Sequence, residues 1–143
     1  MEIANNLNIL KQAIDNDNVK IVAVSKTHPV EMIKLAYNTG QRIFGENKVQ
    51  ELVAKYEELK NLDIKWHLIG HLQTNKVKYI TSFVDMIQSV DSLKLLKEIN
   101  KQANKYPRII NCLLQFHIAT EDTKFGLNYK EAEDILNSPE YKN

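Results

Sequence analysis

The chain has 143 residues, 43% of them hydrophobic and 26% charged, with a formal net charge of +1 at pH 7. This size and composition are typical of a single globular domain over residues 1–143, and the near-neutral charge excludes a general attraction to nucleic acid or to an anionic membrane. The one cysteine, Cys112, excludes a disulfide scaffold, and with no signal-like start or long apolar run the sequence predicts a cytoplasmic protein.

In chain order, apolar runs of strand length alternate with segments that repeat hydrophobic residues at helical spacing. The predicted strands are 21–25, 42–47, 64–70, 83–90 and 108–118. The predicted helices are 2–14, 29–40, 49–59, 75–80, 93–99 and 129–136. Five strand–helix units after an opening helix predict an α/β fold with a parallel sheet, whose strands are apolar enough for burial on both faces.

The turn after the first strand separates two folds of this class. The segment Ser25-Lys26-Thr27-His28 lacks the glycines that wrap a pyrophosphate, which disfavours a dinucleotide-binding fold. A (β/α)8 TIM barrel remains, with about five of its eight units in this chain and its site at the carboxyl ends of the strands.

Lys26 stands at the end of the apolar run 21–25. If the strand end opens into a partly dry pocket, desolvation favours the neutral amine over the ammonium. A neutral lysine amine attacks aldehydes and ketones, so this position suits a Schiff base. A solvated loop lysine is the alternative that this segment alone leaves open.

Unusual polar residues gather at or just beyond the ends of the predicted strands. They are Lys26, Asn47, His71, Gln73, Ser89, Asp91, Gln115 and His117. Because the carboxyl ends of parallel strands share one rim, this pattern predicts a binding site there.

The rim candidates differ in what they offer. Asn47 carries an amide donor and acceptor for a ring hydroxyl or a phosphate, with helix capping as the alternative, and Glu46 is expected to form a structural ion pair. His71 is expected to line the rim, because His67 and His71 lack the partners of a metal site. Lys124 is a candidate second cation for a phosphate, or else a solvated loop lysine.

Four segments carry a resemblance to a known family. They are Ala23-Val24-Ser25-Lys26-Thr27, Phe44-Gly45-Glu46-Asn47, Trp66-His67-Leu68-Ile69-Gly70-His71-Leu72-Gln73-Thr74-Asn75-Lys76 and Lys124-Phe125-Gly126. In their order and spacing they resemble the pyridoxal phosphate homeostasis protein family, alanine-racemase-like barrels that bind pyridoxal 5′-phosphate (PLP). His117 departs from the family, whose members commonly carry asparagine there.

The resemblance implies a function and a site. It implies a PLP-binding protein of intracellular vitamin B6 and amino-acid homeostasis, which binds PLP and exchanges it with amine acceptors. Lys26 is implied to hold PLP as a Schiff base, Asn47 to help hold it, and His71 and Lys124 to add contacts.

The length qualifies this expectation, because a complete barrel takes roughly 200 residues or more. The resemblance therefore predicts an N-terminal portion of such a protein, without the serine- and glycine-rich phosphate cradle and without the arginine that faces the pyridine nitrogen. We expect such a portion to expose a strand edge and an apolar face, to self-associate and to bind PLP weakly. The full-length form is expected to be a monomer.

Three alternatives accompany the prediction of PLP binding without catalytic turnover. A PLP-dependent amino-acid racemase would need acid–base groups on both faces of the cofactor. A PLP-independent lysine aldolase would use the same strand-end lysine, although the long third motif disfavours it. An inactive fragment is the third alternative.

Overall fold

The computed structural model describes residues 2–120 and 125–142, which form a five-stranded sheet with helices packed against it. The strands are β1 (Ala23–Val24), β2 (Ile43–Glu46), β3 (Lys65–Leu68), β4 (Met86–Val90) and β5 (Asn111–Leu114). The helices are α1 (Glu2–Ile14), α2 (Val30–Asn38), α3 (Val49–Leu59), α4 (Leu93–Ala103) and α5 (Tyr129–Leu136), with 3-10 helices at Thr74–Tyr79 and Pro139–Lys142.

The sheet is parallel and its strands follow the order β1-β2-β3-β4-β5. Each strand is thus hydrogen-bonded to the next one in the chain, which is the order in which a (β/α) barrel is built. The predicted α/β class and parallel sheet are confirmed, and closure into eight units stays an expectation.

Local signals place the helix ends. The side chain of Ser92 accepts a hydrogen bond from Leu95 N at 3.1 Å and caps α4. Asn128 and Glu131 form a reciprocal capping box at α5. After α2, Gly40 adopts a φ of +88°, a conformation that glycine reaches without the steric cost other residues meet.

The core lies between the sheet and the helices. Phe44 and Trp66, which are paired in register on β2 and β3, are buried in it, and so is Ile87 of β4. Leu52 of α3 and Leu95 of α4 close it from the helical side. Since strand side chains alternate, the residues between these positions face the other side of the sheet.

Two expectations about the strands are wrong. All five strands are shorter than predicted, the central β3 and β4 as well as the outer β1 and β5, because a strand extends only over the residues that pair with a neighbour. Burial on both faces fails in the outer strands, since Val24 is 48% exposed and Leu113 is 49% exposed. Apolar sequence alone does not distinguish a central strand, which has two neighbours, from an outer one.

No helix among the described residues has both the length and the apolar character needed to cross a bilayer.

Candidate functional site

Lys26 and Asn47 follow neighbouring strands at the carboxyl edge of the sheet. β1 and β2 pair Val24 with Gly45, and Ser25 N donates to Gly45 O at 3.0 Å. Lys26 lies in the turn two residues after Val24, and Asn47 comes two residues after Gly45. Both residues therefore belong to the same edge of the sheet, and their shared role in binding stays a prediction.

Lys26 is exposed and belongs to the turn that follows β1. The expected dry pocket around this side chain is not formed by the residues that the structure describes, because β1 is an outer strand. Within residues 2–120 and 125–142, no hydrogen bond or ion pair engages the Lys26 ammonium. The amine is therefore accessible to an external ligand.

Asn47 is half-buried, and its amide has no hydrogen-bond partner in the described part of the chain. It does not cap α3, whose N-cap is Lys48, so that alternative is wrong. Gly70 packs directly on its backbone: a Cβ at Gly70 would lie 2.8 Å from Asn47 Cα and 2.9 Å from Asn47 C. A half-buried amide without a partner is a group that a polar ligand can satisfy.

A buried ionic cluster lies beneath the Lys26 turn. Lys55 Nζ of α3 donates at 2.7 Å to Glu46 Oε1, at 2.7 Å to Glu51 Oε1 and at 2.7 Å to Ser25 O. Ser25 Oγ also donates to Glu46 Oε1 at 2.6 Å. The expected structural pairing of Glu46 is confirmed, with a helical lysine as its partner instead of a rim lysine.

The outer part of this cluster reaches the turn itself. Thr27 N donates to Glu51 Oε1 at 2.6 Å. The hydrogen bond from Lys55, reinforced by that from Thr27 and opposed by desolvation, holds the pKa of Glu51 below its usual range. Glu51 is therefore ionised at neutral pH.

His71 forms a second polar group at the same edge. Its Nδ1 lies 3.1 Å from Asp91 Oδ2, and its ring stacks on Phe125 with centroids 3.6 Å apart. Gln115 Nε2 donates to Phe125 O at 2.9 Å, which ties the end of β5 to the group. His71 thus faces the β4 and β5 ends, and no contact joins it to Lys26 or Asn47 within the described residues.

His67 lies on the opposite face of β3 from Trp66 and Leu68. Gln88 Nε2 lies 2.9 Å from His67 Nδ1, and His67 Nε2 lies 3.6 Å from Asp85 Oδ2. Burial lowers the pKa of His67 against the opposing effect of Asp85. The described residues contain no cluster of three or more His, Cys, Asp or Glu side chains able to hold a metal ion.

The other rim candidates lie in different settings. Ser89 is the penultimate residue of β4, at the carboxyl end as predicted, and it is fully buried. Lys76, which is not one of the rim candidates, lines a groove between α3 and the 3-10 helix, together with Val53 and Tyr79. His117 pairs through its backbone with Leu127 at 3.0 Å. Lys124 lies outside the described residues.

Sequence reasoning missed Lys55, Glu51 and Ser25. Glu51 and Lys55 are four residues apart on a helix, the spacing of an ordinary surface ion pair. The available signal was the position of Lys55 among the apolar residues of the inner face of α3, next to Leu52 and Leu59 in helical spacing.

The fold and the edge geometry define a class: parallel α/β proteins of barrel strand order, with an exposed lysine after the first strand. The chain belongs to the alanine racemase N-terminal domain family, whose sequence model matches residues 1–141. The four motifs resemble the pyridoxal phosphate homeostasis protein family, and the names of the chain's relatives confirm that resemblance.

Those relatives are pyridoxal phosphate homeostasis proteins. The protein of Aquifex aeolicus is 43% identical over 117 residues, which cover 82% of this chain and 51% of that protein. The protein of Haemophilus influenzae is 40% identical over 156 residues, covering 97% of this chain and 65% of its own length. The chain thus spans about half to two thirds of these relatives.

Solved structures also match this chain over most of its length. PipY of Synechococcus elongatus is 38% identical, with a TM-score of 0.88 without PLP and 0.86 with PLP bound. Each match covers 94% of this chain and 62% of PipY.

Proposed function

We propose that this chain binds PLP through Lys26 and acts in PLP and amino-acid homeostasis. One observation carries the proposal: a lysine amine and a half-buried amide follow neighbouring strands at the same edge of the sheet, and neither has a hydrogen-bond partner within residues 2–120 and 125–142. The naming of the relatives as PLP homeostasis proteins and the PLP-bound form of PipY support the choice of ligand.

The residues of this edge suit the proposed ligand. PLP, when bound, supplies an aldehyde carbon that condenses reversibly with amines. The Lys26 amine attacks that carbon, and loss of water leaves a Schiff base. Because the Lys26 amine forms no ion pair among the described residues, no internal bond has to be broken first. The Asn47 amide offers one acceptor and two donors to the polar groups of the ring.

The proposed activity is holding and release. A second amine that takes the aldehyde carbon from Lys26 completes the release, so free amino acids and other amines are the proposed acceptors. We assign no phosphate-binding group within the described residues, and we propose a cytoplasmic setting. Catalytic turnover, including racemisation, is not part of the proposal.

The test combines PLP titration with chemical trapping. The full chain is titrated with PLP by absorbance, reduced with borohydride and digested, and the modified lysine is found by mass spectrometry. We expect the adduct on Lys26, and loss of the absorbance band in the Lys26→Ala variant. Lys20→Ala is the matched control, because Lys20 is an exposed lysine on the amino-terminal side of β1. An adduct spread equally over surface lysines, or unchanged in Lys26→Ala, would overturn the proposal.

A further inference from the structure

The two residues that flank Lys26 are both tied to the buried cluster. Ser25 donates through Oγ to Glu46 Oε1 at 2.6 Å and accepts through its carbonyl from Lys55 Nζ at 2.7 Å. Thr27 donates through its backbone N to Glu51 Oε1 at 2.6 Å. Three hydrogen bonds thus fix the backbone on both sides of Lys26, while the Lys26 side chain makes none among the described residues.

The turn would not adopt this shape readily without those bonds. Thr27 has a φ of +65°, in the left-handed region that β-branched residues rarely occupy. Such a conformation persists when its surroundings hold it in place. The hydrogen bond from Thr27 N to Glu51 acts on the strained residue itself.

Stability alone does not explain the buried cluster, because removing its charged groups from water costs free energy that offsets the attraction between them. The Glu46 side chain is fully buried, the Lys55 side chain is 8% exposed, and Glu46 Oε2 has no hydrogen-bond partner among the described residues. A buried ion pair of this kind often contributes no more stability than well-packed apolar residues would. Lys55 instead uses all three ammonium donors, two on carboxylates and one on the turn.

We propose that Glu46, Lys55 and Glu51 are positioning residues that hold the Ser25–Thr27 turn so that the Lys26 amine points into the ligand site. The proposal rests on the proposed function of Lys26. It assigns a role to a carboxylate pair and a lysine that do not themselves contact the ligand. Their effect passes through the backbone of the turn.

Glu51 offers the sharpest test, because its side chain is 26% exposed and its replacement leaves the buried Glu46–Lys55 pair in place. Glu51→Ala removes the acceptor of Thr27 N, whereas Glu51→Gln keeps an acceptor oxygen at the same reach. The matched control is Asp134→Ala, which breaks the Lys130–Asp134 pair of 2.8 Å at the same helical spacing on α5. That pair is fully separate from the Lys26 turn in the chain and in the fold.

Two readouts are measured on each variant of residues 1–143. The first is the PLP dissociation constant from absorbance. The second, without PLP, is the pH profile of Lys26 labelling by a small amine-reactive reagent, quantified by mass spectrometry. A hydrogen bond to a charged group corresponds to about a tenfold effect. We expect Glu51→Ala to weaken PLP binding about tenfold and to change the labelling profile of Lys26 selectively.

Rescue separates positioning from general stability. Glu51→Gln keeps an acceptor oxygen but loses the charge, so both readouts are expected to lie between those of Glu51→Ala and wild type. Asp134→Ala is expected to lie within about twofold of wild type in both readouts. If Glu51→Ala keeps wild-type labelling of Lys26, or if Glu51→Gln is as impaired as Glu51→Ala, the positioning role is wrong. If wild type binds no PLP while labelling follows the expected pattern, the proposed function fails and the positioning role stands.

Discussion

Substitution of Gly70 tests how closely β3 and β2 must approach at the candidate site. Gly70 does not have a left-handed φ, so alanine is compatible with its backbone conformation. The obstacle is space: a Cβ would lie 2.8 Å from Asn47 Cα and 2.9 Å from Asn47 C, and closer still to Asn47 O. Carbon atoms in ordinary contact are about 3.5–4.0 Å apart, so the overlap is about 1 Å.

The surrounding structure resists a shift of that size. Ile69 N donates to Glu46 O at 2.9 Å immediately beside the contact, and Val49, two residues after Asn47, is buried in the core. Overpacking of this kind costs about 1–3 kcal/mol, and loss of the adjacent hydrogen bond adds about 1 kcal/mol. We therefore expect Gly70→Ala to lower the free energy of unfolding by about 3 kcal/mol, or roughly 10 °C in Tm.

The assay is urea unfolding of Gly70→Ala beside a control glycine. Gly40→Ala places its Cβ in ordinary van der Waals contact, 3.9 Å from Lys11 Nζ, so its cost comes from the left-handed φ of +88°. Its expected cost is about 1–2 kcal/mol. Gly70→Ala should also weaken PLP binding, because Asn47 must move, whereas Gly40→Ala should not. A Gly70→Ala chain within about 0.5 kcal/mol of wild type would refute the steric argument.

Two further predictions follow from buried titratable groups. Because burial lowers the pKa of His67 in the folded chain, the unfolded chain binds more protons as the pH falls below about 6.5, and stability decreases there. His67→Gln should lose less stability than wild type between pH 7.5 and pH 5.5 in urea unfolding, and equal losses would contradict this. Burial raises the pKa of Cys112 from its usual 9.0 to about 11, so its thiolate fraction at pH 8 falls about a hundredfold. Iodoacetamide should therefore alkylate Cys112 far more slowly in the native chain than in urea, and comparable rates would contradict the burial.

The parts of the fold that depend on local sequence were predictable. α1 and α3 occupy the predicted residues 2–14 and 49–59. Both were predictable because the apolar residues of a helix recur at helical spacing within the segment itself. The limits of the strands depend instead on which residues pair with a neighbouring strand. An apolar run does not report that pairing, so all five strands were predicted too long.

Some residues of the candidate site were likewise predictable from local sequence, and others were not. Sequence reasoning could place Lys26 and Asn47 at one edge because strand ends in a parallel sheet share that edge, so a local position is informative about a distant one. The burial of Lys55 depends on the carbonyl of Ser25, 30 residues away, and on the carboxylate of Glu46, 9 residues away. From the sequence, the four-residue spacing between Glu51 and Lys55 indicates an ordinary surface ion pair. The buried position of Lys55 could therefore not be predicted from sequence patterns.

At the carboxyl edge of the sheet, the buried lysine is therefore Lys55 and the exposed lysine is Lys26. The buried Lys55 ammonium donates all three of its hydrogen bonds inside the protein, whereas the exposed Lys26 amine has no hydrogen-bond partner among the described residues. Lys26 is therefore the proposed reactive group because of its position and accessibility, and not because of desolvation. This makes the shape of the Ser25–Thr27 turn the property on which the proposed chemistry depends. Replacing the cluster beneath it is thus a more direct probe of the site than altering the polarity around Lys26.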